Sequence, residues 1–196
     1  MANLSLFDLT GKNAVVVGGA GGLGQAIAEG LAEAGAKVMI SSRKEESLKR
    51  ACKEIKDKTG LDILYCVCDA TKEDEVKNLL ATALEKMGSV QILVNAQGFN
   101  KKYPGTEFPV EVWDQMFDAN VKSIMLTCKH FGKYFKENDI HAKIINLSSV
   151  RGIRAVGNGG GGNVGYCATK GAVEMLTKAY ASDLRPNVQV NAIGPT

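Results

Sequence analysis

Short apolar runs alternate with longer, helically spaced segments along the whole chain. The runs at 13–18, 37–41, 62–67, 91–95, 143–148 and 188–193 are apolar or β-branched. Their length and near-continuous hydrophobicity predict buried strands, covered on both faces. Between them, Ala26, Ile27, Gly30, Leu31 and Ala34 form one helical stripe. Leu48, Ala51, Cys52 and Ile55 form a second, and Val76, Leu79, Leu80, Ala83, Leu84 and Met87 a third. Stripes at this spacing predict amphipathic helices. Gly35, Gly60 and Gly88 stand where those helices should stop. Strand–helix alternation with right-handed crossovers builds a parallel sheet with helices on both faces. The expectation is one doubly wound, Rossmann-like α/β domain over 1–196, with no internal linker or repeat.

Composition narrows the function classes. The chain is 45% hydrophobic and 23% charged, with a net charge of +3, ordinary for a water-soluble domain. Its basic residues are scattered, so no nucleic-acid partner is expected. No apolar run approaches a membrane span, and the first residues do not read as a signal peptide. The five cysteines are odd in number and dispersed, which does not suggest a disulfide framework. Cys66 and Cys68 would share a strand face, but no second Cys/His cluster accompanies them, so no metal site is expected. A reducing cytoplasm is the expected setting.

Two stretches carry chemistry. The first, "VVVGGAGGLGQAIA", follows the first strand and opens the first helix. Gly18, Gly22 and Gly24 keep the spacing G-x-x-x-G-x-G around Leu23. A diphosphate needs close backbone approach, free N–H groups and the positive end of a helix, which glycines there permit. The second strand then ends "ISSRK". It lacks the carboxylate that would accept from a ribose 2′-OH, and Ser42 and Arg43 stand in its place. Arg43 offers a charge-assisted fork for a 2′-phosphate, so NADP is expected rather than NAD.

The second stretch is "GNGGGGNVGYCATK". Tyr166 and Lys170 lie four apart and share a helix face. A phenol with a pKa near 10 is a poor base at neutral pH. An ammonium about 4 Å away is expected to lower it by about 3 units before desolvation opposes the effect.

With those residues in hand, the sequence resembles the short-chain dehydrogenase/reductase family over essentially its whole length. The carriers are "GGAGGLG", the "DAT" turn with Asp69 and Ala70, Asn95 and Gly98 in "NAQG", and Asn120 in "DANVKS". Ser149 in "NLSSV", the Tyr166/Lys170 pair and the strand ending in Pro195 complete the pattern. The resemblance implies an oxidoreductase acting on secondary alcohols and ketones. It makes Tyr166 the general acid/base, and gives Lys170 both the tuning of Tyr166 and the nicotinamide ribose. It assigns the substrate oxygen to Ser149 and a relay water to Asn120. Gly18, Gly22, Leu23, Gly24, Ser42, Arg43, Asp69, Ala70, Asn95, Gly98, Tyr166, Lys170 and Pro195 become the cofactor set. It also implies a homo-oligomer, dimer or tetramer, and a lid and last strand that this chain lacks, so the domain reads as C-terminally incomplete.

The sequence departs from the family pattern at Val17, Ala96 and Thr196, and in the 17-residue separation of Ser149 and Tyr166. The glycines Gly159 to Gly162 fall in that separation, where a flexible rim over the substrate mouth is expected. The segment "GFNKKYPGTEFP" is similar to that of the family's sugar-acid dehydrogenases, and gives Lys101 and Lys102 to a substrate carboxylate beside Ser149 and Tyr166. Gluconate and its keto form are the expected substrates. A 3-oxoacyl-thioester reductase and a non-catalytic nucleotide-binding module are the alternatives.

Overall fold

Strands and helices succeed one another as the periodicity predicts. The computed structural model describes residues 4–155 and 163–196. In chain order these are β1 (Asn13–Val17), α1 (Gly22–Glu33), β2 (Lys37–Ser42), α2 (Glu45–Thr59), β3 (Leu64–Val67), α3 (Glu73–Met87) and β4 (Ile92–Asn95). Then follow α4 (Val110–Phe117), a π-helical turn at Asp118–Lys122, α5 (Ser123–Glu137), β5 (Ala142–Leu147), α6 (Val164–Asp183) and β6 (Val188–Ile193). The helices stop where expected: Gly35, Gly60 and Gly88 have φ of 96°, 75° and 82°, the left-handed region that lets a chain leave a helix without a Cβ clash. β3 begins later than the hydrophobic run suggests. Asp62 is drawn back to Lys56, near the end of α2, by a 2.8 Å ion pair, and pairing with β2 starts only at Leu64.

All six strands are parallel, in the order β3-β2-β1-β4-β5-β6. Alternate side chains feed two cores. Val15, Val17, Met39, Leu93 and Ile144 pack with α3, α5 and α6, where Phe131 and Phe135 are fully buried. Ala14, Val16, Val38, Ile40 and Val94 pack with α1 and α2. Each large side chain buried in this way contributes about 1.5–3 kcal/mol.

Burial on both faces holds for β1, β2 and β4 but not at the sheet's edges: Val67 on β3 is exposed, and so is the far side. Lys143 on β5 and Gln189, Asn191 and Ile193 on β6 are exposed, because α1 and α2 cover only the first half of that face.

Candidate active site

The strand order reverses between β1 and β4. Crossovers leave these neighbours in opposite directions, so a crevice opens above their carboxyl ends, where doubly wound sheets bind ligands. The register sets a row across that edge: Ser41, Val17, Asn95 and Asn146 lie side by side.

The glycine loop forms the crevice floor. A Cβ on Gly18, where φ is 78°, would stand 2.6 Å from the Gln97 nitrogen, and one on Gly24 would stand 2.2 Å from the Gly18 oxygen. Both positions need glycine because backbone meets backbone. Gly21 and Gly22 face open space, and no side chain caps the first turn of α1. Free N–H groups, open space and the positive helix end together suit a diphosphate.

From this floor the crevice runs two ways. One end is lined by Ser42, Arg43, Asp69, Ala70 and Thr71. The other is lined by Leu23, Leu147, Ser148, Tyr166 and Lys170. Gly21, Ala96, Gln97, Gly98 and Phe99 belong to both. A groove of this shape fits a dinucleotide, with its diphosphate over the glycines. At the first end, Asp69 accepts from the Thr71 amide (3.1 Å) and hydroxyl (2.8 Å). Burial pushes the Asp69 carboxyl up, but Thr71, Lys72 and Arg43 together hold it below its ordinary value.

At the second end, α6 presents Tyr166 in its first turn and Lys170 one turn on. The Lys170 ammonium is buried and donates to the Leu147 carbonyl at 2.6 Å. It lies 5.6 Å from the centre of the Tyr166 ring. Ser149, just past the carboxyl end of β5, accepts from the Arg151 amide (3.2 Å) and reaches the Pro195 carbonyl (3.5 Å). Pro195 thus packs against Ser149.

The electrostatics differ from the expectation drawn from sequence. Burial raises the Tyr166 phenol above its ordinary value, and the Ser149 hydroxyl only partly opposes this. Burial also pushes the Lys170 ammonium down to about 8. Both groups sit in low dielectric, which disfavours both charged forms, and the ammonium is directed to the Leu147 carbonyl rather than paired with the phenol. Tyr166 is thereby held as a protonated phenol, suited to donating.

Asn120 is fully buried in the π-helical turn. Its side chain acts like a peptide group: Oδ1 accepts from the Phe99 amide (2.8 Å), and Nδ2 donates to the Phe99 carbonyl (2.9 Å). Nδ2 also reaches the Thr169 hydroxyl at 3.1 Å, which donates to the Tyr166 carbonyl at 2.9 Å. A wide turn inside a helix often marks a functional position. Here it brings α4–α5, the segment after β4 and α6 to one point. Gly98, at φ 143°, lies between them; a Cβ there would stand 2.8 Å from Asn120 Oδ1.

Asn95 lies beneath the crevice rather than in it. It donates to Asn146 (2.8 Å), which donates to Thr177 (3.0 Å), and it accepts from Thr127 (2.8 Å). Lys101 lines a side hollow with Arg43, and Lys102 is exposed. The run Gly159–Gly162 lies outside the described residues. Sequence reasoning missed Phe99, Leu147 and Thr169. Two of them act through backbone atoms, which every residue type supplies. Among the described residues no three His, Cys, Asp or Glu side chains cluster as for a metal, and no helix is long and apolar enough to cross a membrane.

Comparison with known proteins agrees with this geometry. The short chain dehydrogenase family profile matches residues 12–196. A gluconate 5-dehydrogenase of Gluconobacter oxydans is 34% identical over 196 residues, covering 100% of this chain and 74% of that protein. The crystal structure of a short-chain type dehydrogenase/reductase from Mycobacterium marinum superposes with a TM-score of 0.92 at 32% identity, covering 100% of this chain and 78% of that one. A gluconate 5-dehydrogenase from Burkholderia cenocepacia, in complex with NADP and tartrate, gives 0.87 at 30% identity, covering 96% and 72%. The chain belongs to the short-chain dehydrogenase family and is an NAD(P)-dependent oxidoreductase of CH–OH groups.

Proposed function

We propose that the protein interconverts a gluconate-type sugar acid and its keto form with NADP. The single observation that carries this reading is the 34% identity to a gluconate 5-dehydrogenase over all 196 residues. The exposed Lys102 and the NADP- and tartrate-bound relative support it. The groove residues Gly18, Gly22, Leu23, Gly24, Ser42, Arg43, Asp69, Ala70 and Gly98 hold the dinucleotide, with Asn95 bracing them from below and Pro195 closing the β6 side. When bound, the nicotinamide supplies or takes up the hydride. In ketone reduction, Ser149 donates a hydrogen bond to the substrate oxygen and Tyr166 Oη gives it the proton. Lys170 holds the ribose and stabilises the phenolate that remains. Asn120, its side chain spent on Phe99 and Thr169, orders the relay water through its main chain.

The test is a kcat/KM comparison of 5-keto-gluconate, a neutral ketone and an acetoacetyl thioester, for wild type and Lys102→Met. Preference for the keto-acid, with a KM that rises in the variant while kcat holds, is expected from a remote carboxylate contact. A preference for the thioester that the variant retains would replace this reading with an acyl-thioester reductase. The same reading places the enzyme in the cytoplasm as a homo-oligomer, dimer or tetramer. Free Cys52, Cys66, Cys68, Cys128 and Cys167 suit a reducing compartment, and exposed Val110 and Met175 suit a subunit contact.

A further inference from the structure

Of the two lysines of "NKKYP", Lys101 lines a hollow that Lys102 does not. Arg43, Thr71, Phe99, Gln115 and Asp118 line it as well. Arg43, Thr71 and Phe99 also line the adenosine end of the groove. The hollow therefore adjoins that end of the groove. Tyr166 and Lys170 line the opposite end.

Charge decides what the chamber suits. Neither Arg43 nor Lys101 makes an ion pair or side-chain hydrogen bond among the described residues. The chamber's carboxylate, Asp118, is already paired with Lys122 at 3.2 Å. The nearby Asp69 is hydrogen-bonded by Thr71, and Arg43 attracts it only at a distance, outside ion-pair range. Two cations without an ion-pair partner among the described residues thus line one cavity beside the Ser42–Arg43 end of the groove. A phosphomonoester carries close to two negative charges at neutral pH and offers three acceptor oxygens. One cation leaves about half of that charge unmatched; two match it.

We infer that Lys101 is the second cation of a 2′-phosphate cup whose first is Arg43, so that a residue after β4 helps set the choice between NADP and NAD. The inference rests on the NADP reading above and removes Lys101 from the substrate carboxylate. In a 2′-hydroxyl cofactor Lys101 finds no phosphate to pair with, and Arg43 keeps only its distant attraction to Asp69. Arg43 provides planar, two-pronged contacts, and Lys101 provides a mobile point charge in the same hollow.

The test is direct binding of NADPH and NADH, by titration calorimetry, to wild type, Lys101→Met, Lys101→Arg and Arg43→Ala. Lys101 is exposed, so its replacement does not disturb folding. Lys101→Met is expected to weaken NADPH about tenfold, the scale for losing one charge-assisted contact, and to leave NADH unchanged. Lys101→Arg should restore NADPH. In wild type the gap between the two cofactors should narrow with added salt, and less so in Lys101→Met. Equal losses for NADPH and NADH in Lys101→Met, or no loss for either, overturn the role of Lys101. If Arg43→Ala alone loses NADPH affinity, only the second cation is wrong. If wild type binds both cofactors alike and Arg43→Ala is silent, the NADP reading itself fails.

Discussion

The Lys170 ammonium donates a 2.6 Å hydrogen bond to the carbonyl of Leu147, the last residue of β5. That bond fixes the charge beside Tyr166 but does not repay its burial. The ammonium is pushed down from 10.5 to about 8, so the fold carries an energetic cost that its chemistry requires.

This cost has a definite pH dependence. The folded pKa lies below the unfolded one, so the unfolded chain binds more protons between about pH 8 and 10.5. Stability from this group therefore rises with pH across that window, and the penalty is fully present below it. Lys170→Met should be more stable than wild type at pH 7 by up to about 3 kcal/mol, less about 1 kcal/mol for the lost hydrogen bond. The advantage should shrink by pH 9.5, while turnover is lost at both. Urea unfolding of both proteins at the two pH values checks this. A variant less stable than wild type at pH 7 would contradict the assigned burial penalty.

Tyr166→Phe keeps the ring and removes the proton donor. Cofactor affinity should stay, and kcat should fall about 10²–10⁴-fold, the range for general acid–base catalysis. Single-turnover kinetics with saturating cofactor separate the two effects. Wild-type turnover in the variant would move the proton donor elsewhere.

Gly98 and Gly88 both have positive φ, at 143° and 82°. Alanine at either should cost about 1–3 kcal/mol in backbone strain. Only at Gly98 would the new methyl meet Asn120 Oδ1, at 2.8 Å, whereas Gly88 faces open space. Gly98→Ala should therefore lose turnover beyond its loss of stability, and Gly88→Ala should keep kcat. Thermal melts and initial rates on the two variants decide it. Equal kcat in both would show that the contact between Gly98 and Asn120 does not position the site.

By itself, the sequence determined whatever depends on local period and local sterics. Hydrophobic runs gave the strands, stripes gave α1 to α3, and glycines marked their ends, because burial and φ preference act within a few residues. The Tyr166–Lys170 pairing was legible for the same reason, since a helix brings i and i+4 to one face. The glycine loop was legible because close backbone contacts at Gly18 and Gly24 exclude a Cβ. Tertiary structure decided the rest. Strand pairing brought Asn95 beside Asn146, 51 residues apart, and made Asn95 a strut beneath the groove. It supplied the Leu147 carbonyl to Lys170, and Phe99 and Thr169 to Asn120. Packing brought Lys101 into one hollow with Arg43, 58 positions away in sequence. It also fixed the sign of the Tyr166 shift. Helical spacing brings a charge near the phenol, but the depth of burial decides whether desolvation outweighs that charge, and burial is a property of the whole assembled fold.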